Sequence, residues 1–441
     1  MKNKKTIAQK LAERQVKIPS KFWWAGYTFL SHLPVFAPKY HPTYNVVDDI
    51  NEEKGPCFII WNHLSRRDYL FIKQIVEPKK FNMLAGYPEF FKSHLRPLFN
   101  KVEVIPKKEF VQDLVSVKLM NKIIKMGGII SFAPEGTSSI YGCNQPIVPG
   151  TGRFLQFYRI PVYFMKLEGA YLTSHKTCTD DHPGKVNASL VKLFSGEDLV
   201  KLTPQQIEDK INECFKHDDY AWNKEKRIKF KTKGKGAVNM SSMAYKCPKC
   251  GKEMVMRDDN NILYCSECGN GCTINDYYDF VPFNDTCVIP ESLSKWVELE
   301  RRDLILDIRK DKNYSFEFNC EIAELPKYKL MRHNKPAIKC GSGTFRIDHD
   351  GIHFSGTRNG KDFKFDLSYN IYYTLIIEEA TDIFALFIDD EYFVFYPEDV
   401  RCVGKALILT EEMHRLHVNT WKNFPWNNHL YKGTELEVKE K

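Results

Sequence analysis

The sequence predicts an α/β domain with a mainly parallel sheet and flanking helices, followed by a compact cysteine-based unit and a β-rich domain that ends in a helix. Three observations predict it. From Pro56 to about Glu225, short apolar runs alternate with stretches of helical period, the pattern of strands joined by crossover helices. Between Cys247 and Cys268 the chain reads Cys-x2-Cys-x14-Cys-x2-Cys. From Tyr314 to Tyr396, apolar and polar residues alternate with period two between turns, the mark of half-buried strands.

The chain has 441 residues, which fits roughly two to four domains. Hydrophobic residues make up 43% and charged residues 27%, the composition of a folded protein. A net charge of +8 favours anionic partners without choosing among headgroups, phosphorylated substrates, CoA and nucleic acid. Of the thirteen cysteines, only the four in the two close pairs form a pattern, which points to a metal site in a reducing compartment and not to a disulfide framework. No run reaches the ~18 apolar residues of a spanning helix. No clean apolar run with a cleavage site follows the Lys-rich start, so no signal peptide is expected. Cytoplasmic location with peripheral membrane contact is expected.

Residues 1–45 mix Lys and Arg with Phe22, Trp23, Trp24, Tyr27 and Phe29. An amphipathic helix lying in the membrane interface has this composition, and so does a helix packed on the next domain. In the region 46–228, strands are expected at Cys57 to Trp61, Phe81 to Ala85, Val102 to Ile105, Ile129 to Ala133, Pro161 to Leu167 and Ala188 to Phe194. Helices are expected from Ser65 to Val76 and from Phe110 to Ile124, the second stopped by Gly127-Gly128. Thr203-Pro204 opens another, with a capping Thr and a proline in the first turn. Residues 229–244 are basic and small, as in a linker. Residues 245–285 hold the cysteine pairs. Residues 286–441 begin with a helical stretch, Ser292 to Lys310. They continue through about seven strands, with Asp350-Gly351 and Asn359-Gly360 as hairpin turns, to a last helix from Glu398 to about Val418. This last topology looks like a pleckstrin-homology or GRAM-type domain, which implies lipid or protein binding.

The chemistry concentrates at Trp61-Asn62-His63-Leu64-Ser65-Arg66-Arg67-Asp68, where a strand gives way to a helix. Ligands of open α/β sheets collect at this edge. His63 in the loop and Asp68 in the first helical turn make a histidine–carboxylate base: the imidazole takes a proton from an attacking hydroxyl, and the carboxylate fixes its tautomer. Ser65-x-x-Asp68 also fits a capping box, which needs no catalysis.

A second motif, Phe132-Ala133-Pro134-Glu135-Gly136-Thr137, follows the strand at Ile129. With Ile105-Pro106-Lys107-Lys108 and Ile160-Pro161-Val162, four blocks stand in the order His-x4-Asp, basic patch, Pro-Glu-Gly-Thr, apolar-Pro strand. In this the chain resembles the glycerolipid (PlsC-like) acyltransferase family, which includes glycerol-3-phosphate and 1-acylglycerol-3-phosphate acyltransferases, over roughly residues 40–225. The resemblance implies His63 as general base and Asp68 as its partner. It implies Glu135, Gly136 and Thr137 as the motif that holds the acceptor, and Lys107 or Lys108 at the acceptor phosphate. It implies acyl-CoA or acyl-carrier protein as donor. The acceptor would be 1-acylglycerol-3-phosphate, another lysophospholipid or glycerol phosphate, met at an anionic membrane surface. Ala133 and Ser138 depart from the family's pattern, and lysines stand where arginine is usual; Arg66, Arg67 and Arg153 are candidate substitutes. A catalytically silent lipid-binding or assembly protein is the alternative.

Two Cys-x2-Cys turns joined by a hairpin supply four thiolates in a tetrahedron. Cys247, Cys250, Cys265 and Cys268 resemble a zinc ribbon, with structural zinc because four protein ligands leave no open position. No aromatic series or dense basic helix accompanies it, so nucleic acid is not an expected partner.

Overall fold

The computed structural model describes residues 4–332 and 337–419. The N- and C-terminal expectations at residues 1–3 and 420–441 lie outside them. A seven-stranded sheet forms the first domain: β1 Thr43–Val46, β2 Phe58–Trp61, β3 Phe81–Gly86, β4 Ile105–Lys107, β5 Ile129–Phe132, β6 Val162–Glu168 and β7 Asn187–Phe194. Its order is β1-β7-β6-β2-β5-β3-β4. All neighbouring pairs are parallel except β6 with β7.

The central strand β2 is apolar throughout because both of its faces are covered. Phe58 and Ile60 face one core, with helices Leu114–Lys125, Thr151–Tyr158 and Pro204–Phe215; Ile59 and Trp61 face another, with helix Asp68–Ile75. The Phe58 ring meets Phe132 at 5.8 Å and Phe154 at 5.4 Å, separations usual for packed aromatic pairs.

Several boundaries differ from the sequence expectation for local reasons. β1 arises within the segment read as N-terminal and pairs in parallel with β7. Val102 ends a short helix, and the strand starts only at Ile105. Phe110 adopts a positive φ of 56°, so that helix begins at Leu114, capped by the Asp113 side chain accepting from Ser116 N–H at 3.0 Å. Thr203 caps its helix as expected, in a full capping box with Gln206. The basic segment 229–244 packs instead of remaining solvated. Phe230, Ala237 and Met240 are fully buried, because the apolar side chains between its lysines have core to fill on either side.

Strands β8 Met256–Asp259, β9 Ile262–Cys265, β10 Gly271–Ile274 and β11 Phe280–Pro282 form a four-stranded antiparallel sheet in the order β11-β10-β9-β8. The C-terminal region is a second, antiparallel seven-stranded sheet. It comprises β12 Ser315–Glu324, β13 Ile338–Asp348, β14 Ile352–Arg358, β15 Lys361–Leu367, β16 Ile376–Ile377, β17 Phe384–Ile388 and β18 Glu391–Pro397, and helix Cys402–His417 follows it. Phe345, Phe384 and Phe395 meet at its centre with ring separations of 5.0–5.1 Å. Helix Leu293–Lys310 lies against helix Cys402–His417, where buried Arg301 pairs with Glu411 at 2.6 Å and Glu412 at 2.9 Å. Among the described residues, no helix is long and apolar enough to cross a membrane.

Candidate active site

His63 leaves the C-terminal end of β2, and Glu135 that of β5. These strands are parallel neighbours, with Ile60 opposite Phe132, so the two loops emerge side by side. His63 N–H donates to Glu135 Oε1 at 2.6 Å, and Gln145 N–H donates to the other carboxylate oxygen. Ser139 N–H donates to the His63 carbonyl at 2.7 Å. The loop after β5 therefore holds the His63 backbone on both sides. Asn62 holds it from the other neighbour: its amide donates to Leu167 O at 2.9 Å and accepts from Leu167 N–H at 2.7 Å.

The imidazole is held separately. Nδ1 lies 2.8 Å from Asp68 Oδ2. The carboxylate also accepts from Ser65 N–H at 3.1 Å and Ser65 Oγ–H at 2.8 Å. The capping box expected at Ser65-x-x-Asp68 does not form: the helix starts at Asp68 with Arg67 as its N-cap and no side-chain cap, and the Ser65 hydroxyl accepts from Arg67 N–H at 3.1 Å and donates to the carboxylate that serves the imidazole. The Asp68 side chain is 1% exposed and that of His63 27%. Asp68 accepts a hydrogen bond from Nδ1–H, which leaves Nε2 as the nitrogen able to receive a proton. Glu135 is fully buried, and burial raises its carboxyl well above the usual range; the His63 and Gln145 amides oppose that rise, and Asp68 adds to it.

Gly136 has φ +77°, and a Cβ there would stand 2.9 Å from the Phe110 ring. The conformation and the close approach both require glycine. Thr137 Oγ1 accepts from Lys176 Nζ at 2.7 Å. Lys176 is buried, and burial lowers its pKa while Glu379, Glu378 and Glu109 raise it. Sequence reasoning missed this lysine, since no motif surrounds it and its partner lies 39 residues away.

Of the remaining cations, Lys107, Lys108, Arg66 and Arg67 are engaged within the chain. Lys107 Nζ donates to the carbonyls of Lys108 and of Val111, the latter at 3.3 Å. Lys108 Nζ pairs with Asp390 at 2.8 Å and stands 5.5 Å from the centre of the Tyr87 ring. Arg66 and Arg67 both bond Asp181, at 3.1 Å each, and Arg66 also reaches Glu379 at 3.2 Å. Arg153 is exposed on its helix. The C-terminal sheet and its loops therefore border this site directly, and Ala380 N–H donates to the Lys176 carbonyl at 2.8 Å.

Away from this edge, the four cysteine sulfurs lie within 4.8 Å of one another. Cys247 to Cys268 is 3.7 Å and Cys250 to Cys265 is 3.8 Å. A tetrahedral ion with metal–sulfur bonds of ~2.3 Å requires an edge of about 3.8 Å. Gly251 and Gly269 follow the two pairs with φ of 71° and 70°. Their N–H groups return to Cys247 O and Cys265 O at 2.9 and 3.1 Å, so the two turns are built alike. Asn270 Nδ2 donates toward the Cys247 sulfur at 3.7 Å.

A mainly parallel sheet thus carries a histidine–carboxylate pair and a Glu-Gly-Thr loop on adjacent strand ends. Residues 41–165 match the model of the Acyltransferase family. Among solved structures, the 1-acyl-sn-glycerophosphate (LPA) acyltransferase PlsC from Thermotoga maritima is similar, with 15% identity over 50% of this chain and 92% of that one, at a TM-score of 0.37. No curated protein matches the chain.

Proposed function

We propose that the chain transfers a fatty acyl group from acyl-CoA or acyl-carrier protein to a hydroxyl of a glycerolipid precursor, a lysophospholipid or glycerol phosphate. The observation that carries this reading is the buried Asp68 carboxylate on Nδ1 of a partly exposed His63. Nε2 takes the proton of the acceptor hydroxyl as its oxygen attacks the thioester carbonyl. The new C–O bond forms, the C–S bond breaks, and the leaving thiolate takes the proton from the imidazolium. Asp68 stabilises that imidazolium without itself being protonated. Glu135 acts as a positioning residue through the His63 amide. Gly136 and Thr137 line the acceptor's approach, with Lys176 fixing the Thr137 hydroxyl.

Lys108 meets an acceptor phosphate by exchanging Asp390 for it. Asp390 is 82% exposed, and such a pair is worth only ~0–1 kcal/mol, so the exchange costs little. Lys107, satisfied by backbone carbonyls, shapes the loop. The membrane contact is assigned to helix Lys21–Ser31. There Trp24 is buried, packed 5.0 Å from Phe81, while Phe22 and Phe29 are exposed; one face docks on the domain and the other is free for lipid. Cys247, Cys250, Cys265 and Cys268 hold a structural zinc ion that braces the strands β8 to β11.

Acyl transfer by the wild type and by His63→Ala, measured with lysophospholipids and glycerol-3-phosphate against both donors, tests the proposal. Product from the wild type that a folded His63→Ala fails to form is the expected result. An inactive wild type that binds lipid vesicles tightly would instead support a silent lipid-binding scaffold.

A further inference from the structure

We infer that His175, Cys178 and His182 bind a second metal ion, zinc by the chemistry of the donors, in the loop that adjoins the candidate active site. All three side chains are buried, at 0%, 2% and 0% exposure. One donor atom of each lies within 4.8 Å of the other two. Cys178 Sγ stands 3.9 Å from His182 Nε2; tetrahedral zinc, with bonds of ~2.3 Å to sulfur and ~2.0–2.1 Å to nitrogen, requires about 3.6 Å between such atoms. The two imidazole rings lie 5.0 Å apart.

The hydrogen bonds around the cluster settle which nitrogens face it. The Tyr278 hydroxyl donates to Leu172 O at 2.9 Å, so it can only accept from His182 Nδ1, 2.6 Å away. His182 Nδ1 therefore carries the proton, and Nε2 presents a lone pair beside the Cys178 sulfur. His175 repeats the arrangement. Its Nδ1 is bonded to Thr177 Oγ1 at 2.6 Å, and its Nε2 is buried without a hydrogen-bond partner. A buried polar atom left in that state is destabilising, and coordination would give it a partner. In metal-binding imidazoles a hydrogen bond at the outer nitrogen fixes the tautomer and the ring's orientation, and a hydroxyl occupies that position on each ring here. Two imidazoles and one thiolate suit zinc and disfavour magnesium or calcium, which take oxygen ligands. The cluster shares no residue with the four-cysteine site.

An ion here would fix the loop from both of its ends. Lys176, between the first two ligands, holds Thr137. The carbonyls of Cys178 and Thr179 accept from Arg66 at 3.0 and 2.5 Å, and Thr177 O accepts from Asn239 at 3.0 Å. The link to Thr137 matters to catalysis only if the acyl-transfer proposal holds; binding of the ion does not depend on it.

The test is the metal content and X-ray absorption of the purified full-length chain, reconstituted with zinc alone. About two zinc ions per chain are expected, with a mean shell of about 2.5 sulfur and 1 nitrogen ligands per ion. Cys178→Ser should lower the content to about one ion and leave an all-sulfur shell, while a Cys250→Ser, Cys268→Ser double variant should retain the ion with nitrogen ligands. One ion per wild-type chain with an all-sulfur shell overturns the inference, and so does an unchanged zinc content in Cys178→Ser. The wild-type spectrum decides the matter even if Cys178→Ser does not fold. One ion with a mixed nitrogen and sulfur shell upholds this site and removes zinc from the four-cysteine site.

Discussion

The His63–Asp68 loop and the Lys107–Lys108 turn both lie at the C-terminal ends of parallel strands in one sheet, β2 and β4, about 14 Å apart by strand spacing. They satisfy their charges differently. Asp68 closes a local network with His63 and Ser65, all within five residues. Lys108 finds its partner 282 residues away, in the C-terminal domain. The first arrangement is dictated by a short loop that can fold only a few ways; the second depends on which domain packs alongside. A motif of short polar side chains carries its own geometry, whereas a motif of long cations takes its geometry from whatever surrounds it.

The sharpest way to break this comparison is Asp68→Asn. The amide keeps the shape but cannot hold the Nδ1 proton in the same way, and acyl transfer should fall ~10²–10⁴-fold with little change in KM for the acceptor. Steady-state kinetics check it, and retention of most activity would remove Asp68 from the base. A smaller effect is expected at the basic turn. Burial pushes the Glu109 carboxyl up to about 8, with Lys107 opposing. A carboxyl with a higher pKa folded than unfolded contributes stability that is complete below about 4.5 and is lost as pH rises through about 8. Glu109→Gln should therefore remove a fall in Tm on the order of 2–4 °C between pH 5 and pH 8.5, measured by circular dichroism; parallel pH profiles for the two proteins would contradict it. The smallest effect belongs to Asp390→Ala. Freeing Lys108 should lower KM for a phosphate-bearing acceptor by no more than about fivefold, since an exposed pair is worth ~0–1 kcal/mol. A change well beyond that would mean that Asp390 gates the site.

The same contrast explains what the sequence made legible. The central strands, the Thr203 cap and the seven-strand-plus-helix order at the C-terminus follow from local period and turn chemistry, and all of them appear. His63, Asp68 and Glu135 come together because neighbouring parallel strands deliver them to one edge. β1 escaped notice because four exposed residues, Thr43 to Val46, carry no alternation of burial. Residues 229–244 read as a linker because lysine and glycine dominate the stretch, yet three widely spaced apolar side chains decide where it packs. Lys176 and the residues near it gain their surroundings only from tertiary contacts with Thr137, Tyr278 and Ala380.

Asn62 has a consequence for motion. Its amide makes two hydrogen bonds to Leu167 of β6, just where β2 ends, so a side chain supplies one more rung of the ladder after the backbone has turned away. The residue before His63 is thereby tied to a fully buried residue of the sheet. Deuterium should enter the Leu167 amide only when the sheet itself opens, and His63 should share the slow clock of the core rather than the nanosecond clock of an ordinary loop.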